Sequence, residues 1–178
     1  MTRQSVVLEI DRHIATIRLD RADNRNSMTP DLLEGVSNAV AQVRDEGDVR
    51  CIVITGSGDT FCGGKDFKSA AAVDESTPAH ERTYAIYSYF LSILDLEVPT
   101  IAAMNGDAVG GGLGLALVCD IRVANAEANY GAPFVRVGMH PGMASTLLLP
   151  RFMGLPNATE LLLTGRVVDG AEAARLGL

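Results

Sequence analysis

The sequence predicts an α/β domain in which mostly parallel strands are joined by helical crossovers. Three observations carry this reading. Two short apolar runs, Cys51-Ile52-Val53-Ile54-Thr55 and Thr100-Ile101-Ala102-Ala103-Met104, read as buried strands. Between and after them, apolar residues recur at helical spacing. Each run is also followed by a glycine-rich turn, Phe61-Cys62-Gly63-Gly64-Lys65-Asp66-Phe67 and Asn105-Gly106 through Gly110-Gly111-Gly112-Leu113-Gly114.

The elements follow in order. Val6, Leu8 and Ile10 alternate with Val7, Glu9 and Asp11, and Ala15, Ile17 and Leu19 with Thr16 and Arg18. That pattern predicts a half-buried hairpin turning near Arg12-His13. Thr29-Pro30-Asp31 starts a helix: Thr29 can cap, Pro30 suits the first position and Asp31 complements the dipole. Leu32, Val36, Val40 and Val43 continue it at helical spacing before Gly47. Residues 59–73 read as loop or short helix. Thr77-Pro78 opens a helix whose Tyr84, Tyr87, Leu91 and Leu94 share a face, and Tyr84, Tyr87, Tyr89 and Phe90 read as helix packing. Pro99 ends the connection into the second strand. A helix is expected over 113–118 and a short strand over 121–123. Further helical patterns cover 143–153, 156–164 and 171–176.

Composition bounds the function. A chain of 178 residues with 47% hydrophobic content can form one domain with a sizeable core. The net charge is −7 and no basic run offers a phosphate-tracking stripe, so no nucleic-acid partner is expected. No apolar stretch is long enough for secretion or spanning, so no membrane partner is expected either. Cys51, Cys62 and Cys119 are isolated, odd in number and lack metal-ligand spacing. They fit a reduced, cytoplasmic protein without a bound metal.

The glycine turns point to carbonyl chemistry. A backbone without bulky side chains can approach a ligand and present N–H groups to it. Two such turns aimed at one point make an oxyanion hole. Nucleotide explanations fail on spacing. In a Gly-x-Gly-x-x-Gly fingerprint begun at Gly56 or Gly110, the last glycine would fall on Phe61 or Leu115; in a P-loop the first would fall on Asp59. Gly56-Ser57-Gly58 has the wrong spacing for a nucleophile elbow.

Several ordered motifs resemble the crotonase (enoyl-CoA hydratase/isomerase) superfamily. They are Leu19-Asp20-Arg21 with Asn24-Arg25-Asn26-Ser27-Met28, the two glycine turns, Cys119-Asp120-Ile121-Arg122, Pro141-Gly142, Leu149-Pro150-Arg151 and Leu163-Thr164-Gly165-Arg166. The resemblance implies a crotonase-like spiral of ββα units binding an acyl-CoA thioester, with coenzyme A as part of the substrate and no separate cofactor. It implies that the backbone N–H groups of Lys65 and Gly111 form the oxyanion hole. The second lies at a helix start, whose dipole favours a developing enolate. Arg25, Asn26 and Met28, with Gly63, Gly64, Asp66 and Phe67, match the segments that grip the adenine and pantetheine portion. Gly112, Gly114 and Phe134 complete the implied substrate site.

Two positions depart from the family pattern. Typical hydratases place glutamates where this chain has Gly114 and, after Pro133, Phe134. Loss of that proton-transfer help costs about 10²–10⁴-fold. Substitutes are few. His140 lies on the loop expected to line the acyl pocket and is a side-chain type suited to proton transfer near neutral pH; otherwise it fills or caps that loop. Asp66 is read as loop-fixing or catalytic, Arg136 as a surface or interface charge, and Cys62 as a buried thiol or nucleophile. His13 and His80 are expected to be exposed.

Three readings stay open: an acyl-CoA enzyme with an altered reaction, a hydrolase of a thioester or diketone, and a noncatalytic acyl-CoA-binding or assembly subunit. Residues 1–178 read as one core domain that lacks the family's C-terminal helical region, either by truncation or because the apolar end packs on a partner. The family's assembly and the leucines at 147–149, 155 and 161–163 suggest a homo-oligomer, a trimer or hexamer.

Overall fold

The alternating start of the chain forms the expected hairpin. In the computed structural model, which describes residues 4–66 and 78–178, β1 (Val6–Asp11) and β2 (Ile14–Leu19) pair antiparallel, with Val6 opposite Leu19 and Asp11 opposite Ile14. Arg12 (φ 43°) and His13 (φ 73°) both turn left-handed, as a two-residue hairpin requires. The Arg50 N–H bonds the His13 carbonyl at 2.8 Å, which ties this turn to the entry of the next strand.

Helix α1 (Pro30–Asp45) buries Leu32, Val36, Val40 and Val43, as their spacing predicts. Its start differs from expectation in one respect. Thr29 holds the N-cap position with extended backbone, but its hydroxyl makes no capping bond. Asp31 is instead held by the Ser5 hydroxyl and by Arg21 at 3.1 Å, and these contacts lower its pKa, the Ser5 bond first.

From β3 (Cys51–Gly56) onward the chain repeats one move. The first strand of each unit joins a large sheet, the second joins a small one, and a helical segment returns. Thus β3 is followed by β4 (Thr60–Cys62) and α2 (Ala79–Leu91), and β5 (Thr100–Met104) by β6 (Asp107–Val109) and α3 (Gly111–Leu117). Then β7 (Ile121–Ala124) and β8 (Asn129–Gly131) lead through a 3₁₀ turn at Pro133–Val137 to α4 (Ser145–Thr164). The large sheet runs β1-β2-β3-β5-β7 and is parallel except for the hairpin. The small sheet runs β4-β6-β8-β9, with β9 (Val167–Asp169) antiparallel at its edge, before α5 (Gly170–Leu176). This is the spiral of ββα units.

Several local expectations are corrected. Residues 60–62, read as loop, are strand, and 67–77 lie outside the described residues. Tyr84 and Leu94 do not belong to a buried face: they are 75% and 60% exposed, and Phe90 and Ile93 are buried instead. Helix α4 breaks at Gly154, whose φ of 76° and ψ of 157° are not helical, so the two patterns expected there meet at a kink. Of the leucines expected at an interface, Leu149, Leu161 and Leu162 are buried within this chain, whereas Leu147, Leu155 and Leu163 are exposed. Among the described residues no helix is long and apolar enough to cross a membrane.

Asp120 fastens the third repeat to the second. Its carboxylate accepts from the Thr100 N–H and hydroxyl, each at 2.8 Å, and its own N–H donates back to the hydroxyl at 3.0 Å. The backbone bond first, then the hydroxyl, lowers its pKa below the ordinary aspartate value of 3.8. Because the carboxyl is exposed, Asp120→Asn should cost about 0.5 kcal/mol at neutral pH, the low end for one hydrogen bond. A depressed carboxyl stabilises the fold above its unfolded pKa, and that contribution is lost as pH falls through the folded one. Urea unfolding should therefore separate parent and variant at pH 7 and bring them together below the ordinary carboxylate range.

Candidate active site

The small sheet assembles the site. Its three parallel strands β4, β6 and β8 lie side by side, and each releases a turn at its C-terminal end. After β4 come Gly63-Gly64-Lys65, after β6 Gly110-Gly111, and after β8 Ala132-Pro133-Phe134. Carboxyl ends of parallel strands are where open α/β sheets receive ligands.

The first turn is stitched to the segment before α1. The Gly63 N–H bonds the Arg25 carbonyl at 2.9 Å, and the Met28 N–H bonds the Gly64 carbonyl at 2.8 Å. Met28 and Lys65 form a parallel bridge, in which the bonding groups come from the neighbours of Lys65. The Lys65 N–H therefore faces away from Met28's own strand, and the Lys65 side chain is exposed.

The second turn lies directly against the first. Gly64 has φ 83°, and a Cβ there would stand 2.5 Å from the Val109 carbonyl oxygen and 3.0 Å from the Gly111 nitrogen. A Cβ at Gly112 would overlap the Cys62 carbonyl. Glycine is required on both sides of the contact because backbone fills the space. Gly111 opens α3, so the helix ladder provides no acceptor for its N–H.

Beside this contact is a cavity of about 210 Å³, walled by Met28, Lys65, Tyr87, Gly111, Phe134 and His140, among others. A second hollow of about 100 Å³ shares Lys65, Gly111 and Phe134 with it and extends towards Gly63 and Val137. None of the described residues lining either space is acidic. A larger hollow, about 740 Å³, is a surface groove between β1 and α1 with polar walls such as Asp31, Glu34 and Asn38; neither glycine turn reaches it.

The 3₁₀ turn after β8 and the start of α4 close the cavity. Met143 (φ 56°) and Ala144 (φ 54°) are consecutive left-handed residues without the freedom of glycine, a conformation that costs about 1–2 kcal/mol each. Their partners hold them there. The Met143 N–H donates to the Tyr87 hydroxyl at 2.7 Å, and the Ser145 hydroxyl donates to the Gly142 carbonyl at 2.6 Å. Buried Met143 is pressed against Gly114: a Cβ at Gly114 would collide with Met143 Cβ and lie 2.9 Å from its carbonyl oxygen.

The structure therefore brings Met28, Lys65, Gly111, Phe134 and His140 together. Gly112 and Gly114 lie behind the cavity as packing positions. Arg25 is exposed and pairs with Asp107 at 3.2 Å. Asn26 is fully buried and its amide is engaged by the chain itself. It accepts from the Arg21 N–H at 2.8 Å and donates to the carbonyls of Thr60 at 2.7 Å and Ser57 at 3.0 Å. Its role here is to fix the loop that carries Arg25 and Met28. Asp66 is half-buried beside the first turn, Arg136 is exposed, and Phe67 lies outside the described residues, as does the His80 side chain. Burial pushes the Cys62 and Cys119 thiols up to about 12, so neither is a nucleophile at neutral pH. Cys51 is half-buried. Tyr87, read from the sequence as helix packing, lines the cavity, as do Ile86, Met139 and Met143, which spacing did not reveal either; a tyrosine on a helix face looks the same whether it packs or lines a cavity.

Comparisons with known proteins agree with this architecture. Residues 9–178 match the family model described as enoyl-CoA hydratase/isomerase. A probable enoyl-CoA hydratase of Mycobacterium tuberculosis, EchA14, is 38% identical over 97% of this chain and 67% of its own length. The (E)-benzylidenesuccinyl-CoA hydratase of Thauera aromatica is also 38% identical, over 97% of this chain and 67% of its own. The crystal structure of an enoyl-CoA hydratase from Bacillus anthracis superposes with a TM-score of 0.92 at 34% identity, covering 98% of this chain and 68% of that one. The chain thus spans about two thirds of the length of these relatives. On fold, motif order and these matches together, the chain belongs to the enoyl-CoA hydratase/isomerase family, the crotonase superfamily.

Proposed function

We propose that this chain binds an acyl-CoA thioester and stabilises its enolate between the N–H groups of Lys65 and Gly111, without the glutamate pair of typical hydratases. The observation that supports the reading is the contact of the two glycine turns at a shared cavity wall. A thioester oxygen there would accept two backbone N–H bonds as negative charge develops on it. One such donor is worth about 10²–10³ in rate. The acyl chain would occupy the cavity of about 210 Å³, and a short chain is proposed. Coenzyme A enters as part of the substrate, and His140 at the exposed rim is the proposed proton-transfer group.

The fate of the two glutamate positions supports an altered reaction. At Gly114 the room for a longer side chain is filled by Met143, and at Phe134 an aromatic ring lines both cavities. Purified protein should therefore hydrate crotonyl-CoA about 10²–10⁴-fold more slowly than a hydratase with both carboxylates; hydration at the ordinary rate would contradict the reading. Gly114→Glu should not restore activity. Overpacking against Met143 should instead cost about 1–3 kcal/mol in denaturant unfolding.

A chain-length panel of acyl-CoA thioesters, read by binding and by turnover, tests the reading as a whole. On the substrate so found, Gly111→Pro should lower turnover by at least about 10², because it removes an N–H aimed at the oxygen. Lys65→Ala should change it little, since the amide remains. The reverse ranking would overturn the oxyanion assignment, and binding without turnover would favour a noncatalytic acyl-CoA-binding subunit.

A further inference from the structure

Tyr87 is the cavity residue that the hydratase-like reading leaves without a role. It reaches in from α2, half-buried, with its ring 5.6 Å from that of buried Phe90. Its hydroxyl oxygen accepts the Met143 N–H at 2.7 Å. A phenol has one proton to give, and this geometry commits the oxygen as acceptor while the proton stays available. Among the described residues no protein group accepts it. The surrounding wall is otherwise apolar on this side, with Ile86, Phe134, Met139 and Met143. A donor fixed in such a wall discriminates between ligands according to whether they carry an acceptor.

Tyr87 and the second glycine turn are close to one another. A Cβ at Gly142 would stand 2.8 Å from the Tyr87 hydroxyl and 3.8 Å from one edge of the Phe134 ring; a Cβ at Gly110 would stand 3.9 Å from the tip of the same ring. The two ring atoms, Cε1 and Cζ, are neighbours, so Gly142 beside the Tyr87 hydroxyl and Gly110 of the second glycine turn approach the same end of the Phe134 ring. With the thioester oxygen assigned to the Lys65 and Gly111 amides, the Tyr87 proton is left for an oxygen carried elsewhere on the ligand in the cavity that all three residues line.

We propose that Tyr87 is a specificity-determining residue that donates a hydrogen bond to an oxygen carried by the acyl chain, so that oxygenated short acyl thioesters are preferred over plain alkyl ones. This rests on acyl-CoA binding in the cavity as argued above. The strained Met143-Ala144 pair serves the same end, because the N–H it presents uses the phenol oxygen as an acceptor and leaves its proton to be donated.

The test compares dissociation constants of butyryl-CoA, 3-hydroxybutyryl-CoA and 3-oxobutyryl-CoA on the parent protein and on Tyr87→Phe, with thermal unfolding of both proteins as a check on the fold. The parent should bind both oxygenated thioesters about tenfold tighter than butyryl-CoA, the gain of one neutral hydrogen bond. Tyr87→Phe should lose that gain, so that the three thioesters bind about equally, on top of any common loss from removing the acceptor of the Met143 N–H. A purely structural tyrosine would weaken all three ligands by the same factor and leave the preference for the oxygenated chains intact, and that result would overturn the proposal. So would equal affinities on the parent, or a preference for the 3-hydroxy over the 3-oxo chain, since both oxygens accept from a donor. If none of the three thioesters binds the parent, the acyl-CoA reading itself fails along with the role built on it.

Discussion

Two stretches of backbone touch where no side chain fits, and the site depends on that contact. Gly64 lies against Val109 and Gly111, and Gly112 against the Cys62 carbonyl. The approach is set by the parallel pairing of β4 with β6, in which Thr60 lies opposite Asp107 and Cys62 opposite Ala108. Buried Asn26 holds the neighbouring loop in place by bonding the carbonyls of Ser57 and Thr60. The turns are thus fixed by strand register and a satisfied buried amide rather than by groups a ligand would have to order. Preorganised donors of this kind need no rearrangement when charge develops beside them.

The remaining walls decide what such a contact can be used for. Phe134 and Met143 make the cavity apolar, and Met143 also occupies the room that a longer side chain at Gly114 would need. The cost lies in two left-handed residues, Met143 and Ala144, which are repaid by Tyr87 and Ser145. On the proposed function, carbonyl polarisation and proton transfer would fall to different groups. Backbone suits the first, and Lys65, Tyr87 and His140 are the protic side chains among the described residues lining the cavity.

Much of this was legible in the residues, and the misses have physical causes. The hairpin, α1, β3 and β5 follow from periodicity because each has a full set of apolar positions on one face. The spiral came from motif order, since strands of three residues such as β6, β8 and β9 are too short to show an alternation. The glycine turns were readable because glycine marks close approach. Asn26 was expected to meet ligand, yet nothing in its neighbours signals that its amide is consumed by carbonyls about thirty residues away. Tyr84 and Leu94 fit a helical stripe, but α2 ends at Leu91, and of that stripe Tyr87 and Leu91 pack against the core while Tyr84 and Leu94 are exposed. The collision between Gly114 and Met143 is a tertiary fact that no local pattern carries.

The central claim concerns one oxygen atom. A crystal structure of the protein with butyryl-CoA bound would test it most directly. The account predicts the thioester oxygen about 2.7–3.1 Å from both the Lys65 and the Gly111 nitrogen, with the acyl chain directed towards Tyr87 and Phe134. A thioester bound with its oxygen away from both nitrogens would contradict it.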